Sequence, residues 1–406
     1  AIEDVAADHF GASISESQVE YFLRSLVPIQ KKRSAKGFLR MLEVDGRGSE
    51  LLDQCIAIVH QCRKKSQEFF DSLIRWKREN SPSNGRVAVP DIVPNILAAP
   101  LRDLGNHLTF LRETLDDSEA IEAGGHSQRA VDMATSCEVL IMQQLEGCVY
   151  SIDGVPAGFE KSNQIRPTLK CMAVDVAPLL RENLFKCSTS VVLTSATLAT
   201  GGGDFSLLKS RLGCDEPKEL QLGSPFDYPR QMHAWVDSSI PEPSNSQYAQ
   251  KLSDRIVDMV ARTQGGAFVL FTSYALLKTI AGLACDELES RGLTLLEHGA
   301  KLTRTVLLEQ FREDERAVLF GTTSFWQGVD VQGHNLRNVI ITRLPFDVPN
   351  RPLVEARQEK ILEGGGNPFM EDQLPRAVIR FRQGIGRLIR SGEDKGDVSV
   401  LDSRVV

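Results

Sequence analysis

Three polar clusters, each set directly after an apolar run, carry side chains suited to handling phosphate. The first is Thr194-Ser195-Ala196-Thr197, which follows Val191-Val192-Leu193. Small hydroxyls at a strand end can bond a phosphate or position a neighbouring domain; Ser and Thr also crowd strand ends for local backbone bonding. The second runs from Gly321 through Thr322, Thr323, Ser324, Phe325, Trp326, Gln327, Gly328 and Val329 to Asp330. Gly321 and Gly328 permit close backbone approach, the hydroxyls offer phosphate contacts, and Gln327 and Asp330 reach into a cleft. A turn explains the two glycines but not so many polar groups between two strands. The third is Gln383-Gly384-Ile385-Gly386-Arg387-Leu388-Ile389-Arg390. Read as a helix, it puts Gln383, Arg387 and Arg390 at i, i+4 and i+7 on one face, and Arg380 extends that face by a turn. Guanidinium forks pair phosphate oxygens, so such a row suits charge developing on a transferring phosphoryl group. Gly384 and Gly386 each cost about 1 kcal/mol relative to Ala inside a helix, which implies that a neighbouring backbone packs close.

The elements that must hold these clusters alternate. Strands are predicted at 267–271, 294–297, 317–321, 338–342 and 398–401, and helices between them, as at 248–262 and 275–291. This alternation implies an α/β fold with a parallel sheet covered on both faces. Ligands bind such sheets outside the carboxyl ends of the strands, where the clusters fall. Upstream, CVYSI and TLKCMAV read as strands, APLLRENLF as a short helix, and SVVLTSATL as the start of a buried parallel strand. Residues 1–147 read as mostly helical: apolar residues recur at helical spacing from Leu51 to Trp76, and again over 101–115 and 126–145. Ser81-Pro82-Ser83-Asn84-Gly85 closes the first of these stretches. Basic residues collect at Lys31, Lys32, Arg33, Lys36 and Arg40, and at Arg63, Lys64, Lys65, Arg75, Lys77 and Arg78. They form either a solvated helix face or one that contacts phosphates.

Composition sets the outer bounds. The chain has 406 residues, 42% hydrophobic and 25% charged, with a net charge of −7. No apolar run approaches the roughly 18–20 residues needed to span a bilayer, and the acidic start AIEDVAADHF lacks the pattern of a signal peptide. Global charge does not announce a nucleic-acid binder, but a local basic track would suffice. The eight cysteines show no CxxC spacing and the histidines no HExxH, so no metal site is expected; scattered thiols point to a reducing cytoplasm.

In this order the three clusters resemble motifs III, V and VI of superfamily 2 helicases, and more narrowly those of the DinG/XPD-type DNA helicases. Phe268-Val269-Leu270-Phe271-Thr272-Ser273-Tyr274 resembles motif IV, and Leu344-Pro345-Phe346 and Asn350-Arg351-Pro352 fit the segment between motifs V and VI. The resemblance implies an organisation: 1–147 as a mostly helical arch-like insertion, 148–203 as the return into RecA-like motor domain one with motif III, and 204–406 as RecA-like motor domain two. It implies ATP and Mg2+ between two RecA-like domains, with Gln383, Arg387, Arg390 and Asp330 as catalytic residues and Gln327, Gly328 and Gly386 against the nucleotide. Thr194, Ser195, Thr197, Ser273 and Thr322 would couple ATP state to the nucleic-acid track. Single-stranded and forked DNA are the implied partners, and 5′-to-3′ movement the implied polarity.

The departures from the family pattern matter as much. No GxxxxGK[ST] loop and no DEAH box occur in the sequence. Ala1-Ile2-Glu3-Asp4-Val5-Ala6 resembles the family's stretch immediately downstream of the DEAH box, so the chain reads as an internal fragment, with any iron–sulfur cluster or exonuclease domain lying upstream. Two other readings stay open. A non-hydrolysing nucleic-acid-binding module would explain the missing loop but would leave Arg387 and Arg390 without a phosphate to serve. A DEAD-type RNA helicase is disfavoured by the long helical region ahead of TSATL.

Overall fold

Contacts in the computed structural model divide the chain into two units. One comprises Ala1–Val191, Ser210–Cys214 and Val348–Gly364; the other Val192–Lys209, Asp215–Asp347 and Gly365–Val406. The structure describes residues 2–29, 37–44, 49–80, 82–154, 166–187, 189–200, 202–300, 302–326 and 335–405.

The first unit contains helices α1 (Ile2–His9), α2 (Glu16–Leu26), α3 (Phe38–Val44), α4 (Glu50–Asn80), α5 (Ala98–Arg112), α6 (Asp117–Ile141) and α7 (Ala177–Leu180). Its strands are β1 (Ala12–Ser15), β2 (Arg86–Val87), β3 (Cys148–Asp153) and β4 (Thr168–Ala173). The apolar stripe from Leu51 to Trp76 lies within the single helix α4, whose inward face buries Val59, Cys62, Phe69, Phe70 and Leu73. The start of α2 is fixed by a capping box between Ser15 and Gln18. Helices α5 and α6 can approach closely because Gly105 has no side chain: a Cβ there would lie 2.7 Å from Val131 Cγ2. The strands form an antiparallel sheet in the order β1-β4-β3-β2. The expectation of helices over 1–147 missed β1 and β2, which are too short to show a period.

The basic residues of α4 divide by role. Arg63 donates to the Val27 carbonyl at 2.7 Å and Lys77 to the Ile152 carbonyl at 2.7 Å, while Lys65 pairs with Glu68 at 2.8 Å. Lys64, Arg75 and Arg78 are exposed. Arg40 pairs with Glu43. Lys31, Lys32, Arg33 and Lys36 lie outside the described residues.

Between the first unit's strands and the second unit's sheet, the chain forms two short helices, α8 (Ser206–Leu212) and α9 (Tyr228–Gln231). The second unit's strands are β5 (Met232–Val236), β6 (Ala267–Leu270), β7 (Thr294–Glu297), β8 (Ala317–Gly321), β9 (Asn338–Ile341) and β10 (Gly396–Val400). They pair in the order β5-β10-β9-β6-β8-β7, and every pair is parallel. The intervening helices include α10 (Tyr248–Arg262), α11 (Tyr274–Ser290), α12 (Arg304–Glu313), α13 (Thr323–Trp326), α14 (Pro352–Glu363) and α15 (Leu374–Ile385). Of these, α14 belongs to the first unit. Its Arg357, only 4% exposed, reaches Glu3 of α1 at 3.2 Å, and Arg86 reaches Glu355 of α14 at 3.1 Å. Two apolar cores flank the sheet, one around Val269, Phe271, Phe320 and Ile340, the other around Phe268, Phe311, Leu319 and Val339. Successive residues of β6 and β9 thus enter opposite cores, as expected of strands buried on both faces.

Two expectations need correction. Val191-Val192-Leu193 is not a strand, and Val192 is 83% exposed. A β-branched run becomes a strand only where a neighbouring ladder accepts its hydrogen bonds, and no described strand pairs with it. The helix expected through Arg390 stops at Ile385, with Gly386 as its C-cap. Beyond it, Arg387 N–H bonds the Gly384 carbonyl at 3.3 Å and Leu388 N–H the Ile385 carbonyl at 3.0 Å, which are tight turn contacts. The turn sends Leu388 and Ile389 into the core, and the i, i+4, i+7 face does not form.

Candidate functional site

The carboxyl edge of the parallel sheet gathers most of the predicted site residues. After β6 the chain passes through Phe271 and Thr272 to Ser273, whose hydroxyl accepts from Leu276 N–H at 3.3 Å and caps α11. After β8 it turns at once into α13. That turn requires Gly321, because a Cβ there would lie 2.7 Å from Phe325 Cβ and Cγ. Phe325 and Trp326 are buried, and Trp326 Nε1 donates to the Phe271 carbonyl at 3.2 Å. The loops after β6 and β8 are thereby joined.

The third cluster comes to this edge on α15. Gln383 Nε2 donates to Thr197 Oγ1 at 3.1 Å, and Arg382 donates to the Ala199 carbonyl at 2.8 Å. Ser195 Oγ accepts from Thr197 N–H at 3.2 Å and lies 3.3 Å from Thr197 Oγ1. The TSATL segment is thus held against the glutamine-bearing helix. Gln383 Oε1 is buried with no hydrogen-bond partner among the described residues. Arg387 Nη2 donates to the Trp326 carbonyl at 2.7 Å. Burial first, and then the nearby Arg304 charge, hold the Arg387 pKa below the usual arginine range. Arg304 itself lies over the Phe325 ring at 5.6 Å.

The structure does not bring every predicted residue to one point. Arg390 sits in a turn where Asp394 accepts from Arg390 N–H at 2.9 Å and Ser391 N–H at 2.8 Å. Burial lowers the Arg390 pKa and Asp394 partly offsets it. Arg380 pairs with Asp347 at 2.7 Å instead of extending an arginine row. The Thr194 side chain is exposed. Gly384 does admit a close neighbour, but it is a side chain and not a backbone: a Cβ there would lie 2.9 Å from Trp326 Cε3. Gln327, Gly328 and Asp330 lie outside the described residues.

Four residues were missed. Arg382 is one. The other three form a relay with Thr322, which is buried: His298 Nδ1 lies 2.9 Å from Thr322 Oγ1, His298 Nε2 lies 3.1 Å from the Tyr274 hydroxyl, and Arg304 stands beside them. Burial and then Arg304 lower the His298 pKa, so its ring is neutral at pH 7, one nitrogen donating and the other accepting. The signal for His298 was present, since it directly follows the predicted strand 294–297 at the ligand-binding edge. Among the described residues no group of three His, Cys, Asp or Glu side chains could hold a metal ion, and no helix is long and apolar enough to cross a membrane.

Residues 256–406 match the helicase C-terminal domain family. The chain is 40% identical over 215 residues to a Haemophilus influenzae protein named ATP-dependent DNA helicase YoaA, covering 53% of this chain and 33% of that one. It is 38% identical over 233 residues to a Bacillus subtilis protein named 3′-5′ exonuclease DinG, covering 56% of this chain and 25% of that one. Over the matched stretches the chain is similar to the C-terminal domain of helicases and to proteins named DinG and YoaA. Among solved structures, an XPD helicase matches with a TM-score of 0.56 at 13% identity, covering 99% of this chain and 63% of the other, a likeness of fold. The chain matches only 33% and 25% of the length of these two curated relatives.

Proposed function

We propose that this chain is part of an ATP-dependent DNA helicase that moves 5′-to-3′ on single-stranded DNA and unwinds duplex. In this reading 204–406 is motor domain two, 148–203 the return segment of motor domain one, and 1–147 a helical arch along the path of one strand. The observation that carries it is the joining of three motifs in one unit: Gln383 to Thr197, and Arg387 to the end of the Gly321–Trp326 turn. Relatives named ATP-dependent DNA helicases support the same reading. An upstream RecA-like domain would supply the main ligands of the triphosphate and magnesium. The working compartment would be the cytoplasm, where the free thiols stay reduced.

The chemistry follows from charge. Arg387 and Arg304 are like charges held near each other in a partly buried place, and a γ-phosphate there relieves their repulsion. As charge spreads over the transferring phosphoryl, Arg387 exchanges the Trp326 carbonyl for phosphate oxygens. Gln383 orients water or phosphate and passes closure to Thr197. Gln327 and Asp330 complete the nucleotide edge, with Gly386 letting the backbone approach and Arg390 steadying the turn. Ser273, Ser195 and Thr194 face the strand track, where hydroxyl contacts carry little sequence information, and the buried Thr322 couples to it through His298.

The test is Arg387→Ala in the complete enzyme. DNA-stimulated ATP hydrolysis should fall about 10³-fold or more, while single-strand binding stays near wild type. Near-normal hydrolysis would overturn the role.

A further inference from the structure

The opposite edge of the same sheet holds a second basic surface that the reading above leaves unused. A cavity of about 710 Å³ opens where β5, β6, β8, β9 and β10 begin. Arg262, Arg316, Arg337 and Lys395 line it, against Glu315 and Asp397, on a chain whose net charge is −7. The cations differ in what they can do. Arg337 donates to the carbonyls of Thr263 at 3.1 Å, Gln264 at 3.2 Å and Glu315 at 2.7 Å. It therefore fixes the two turns that wall the cavity and contributes its charge without further bonds. Lys395 and Arg316 line the cavity and are exposed, the Arg316 guanidinium lying beside Gly292. Arg262 lies 5.8 Å over the Trp235 ring.

Trp235 decides the class of ligand. It is on the edge strand β5 and 48% exposed, so the indole offers one face to solvent while the other carries a guanidinium. His233, two residues earlier on the same face of the strand, lines the cavity, and Arg262, which lines it too, links the cavity to the Trp235 ring. A flat aromatic beside a cluster of cations is what a sequence-tolerant single strand requires: bases stack on the ring and the phosphates follow the charge. An acidic peptide would satisfy the cations but leave the indole face with no role. We propose that the amino edge of the sheet is a second single-stranded DNA-binding site, with Trp235 as the stacking platform and Arg262, Arg316 and Lys395 as phosphate contacts.

This site is on the other edge of the sheet from Gln383 and Arg387, so it can be tested without ATP. The experiment uses the 406-residue chain and a dT 20-mer carrying 5-iodouracil, irradiated and mapped by mass spectrometry, with affinity measured by anisotropy across a salt series. A crosslink on the peptide bearing Trp235 is expected. Trp235→Ala should weaken binding about fivefold or more. The double variant Arg262→Glu/Lys395→Glu should reduce the slope of log K against log salt by about 1.4. All three residues reach the surface, and an unchanged circular dichroism spectrum confirms that the variants fold. Crosslinks confined to the peptides around Ser273 or Thr322, with unchanged affinity in these variants, overturn this inference and leave the helicase reading standing. Absence of any crosslink or binding overturns both.

Discussion

Gly384→Ala sets two physical effects against each other at the candidate site. Replacing a helical glycine by alanine stabilises by about 1 kcal/mol through backbone entropy, and less here because Gly384 is one residue from the end of α15. The added methyl would lie 2.9 Å from Trp326 Cε3, 3.0 Å from its Cζ3 and 3.4 Å from Leu270 Cδ1. Those ring atoms cannot yield cheaply. Trp326 is buried, its Nε1 holds the Phe271 carbonyl and its own carbonyl holds Arg387. Overpacking of this kind costs about 1–3 kcal/mol. The steric term wins, and the net loss should be about 1–2 kcal/mol, or roughly 2–8 °C in the melting temperature of a unit this size. Gly282→Ala is the internal control. It is an exposed position inside α11, and a Cβ there meets nothing within 4 Å. That variant should gain about 1 kcal/mol. Urea titrations followed by tryptophan emission give both numbers. If Gly384→Ala is as stable as Gly282→Ala, then Trp326 is not packed against α15 and the reasoning fails.

Other perturbations have equally definite outcomes. Gln383→Ala removes the bond to Thr197 and should cost about 0.5–1.5 kcal/mol in the same titration; no change would mean that the TSATL segment is held by Arg382 alone. Arg380→Ala strands Asp347, whose side chain is only 9% exposed. Since Arg380 is itself partly open to water, the loss should be about 1–3 kcal/mol, below that for a fully buried pair, and Arg380→Ala/Asp347→Ala should recover part of it. His126 is 6% exposed, 5.2 Å from the Phe38 ring, with a pKa lowered by burial and only partly restored by Glu122. The unfolded chain therefore binds its proton first: stability holds above about pH 6.5 and falls as the pH drops below it. His126→Phe should flatten that acid-side loss between pH 7.5 and 5.5, and an identical loss in both proteins would count against it.

The sheet of the second unit could be read from sequence because its strands are buried on both faces. Phe268-Val269-Leu270 and Asn338-Val339-Ile340-Ile341 have no polar face to confuse with a helix, and the structure begins and ends them within a residue of the expected limits. β5 was invisible for the opposite reason. It is an edge strand with His233, Ala234, Trp235 and Val236 exposed, so its pattern lacks the apolar run that marked the others. SVVLTSATL has that run but no ladder to join. At α15 the spacing of Gln383, Arg387 and Arg390 was legible, but the helix end was not. Gly386 ends α15, and Leu388 and Ile389 enter the core, a tertiary demand that local pattern does not encode. His298 escaped because a lone histidine carries no motif; only its place after β7 gives it neighbours.

The border between the two units is crossed repeatedly by the chain, and α14 makes this consequential. No single cut in the polypeptide yields either unit whole. A product ending near Val191 would lack Arg357, Glu355 and Glu359, leaving Glu3 and Arg86 without the partners that α14 brings. A product starting near residue 256 would keep α14 as a helix whose anchoring groups had been discarded, together with β5 and Gln231, which grips the carbonyls of Ser391, Gly392 and Asp394. Limited proteolysis should therefore produce nicked molecules that stay associated under native conditions and separate only in denaturant, and recombinant expression of either half needs its missing pieces grafted back through designed linkers.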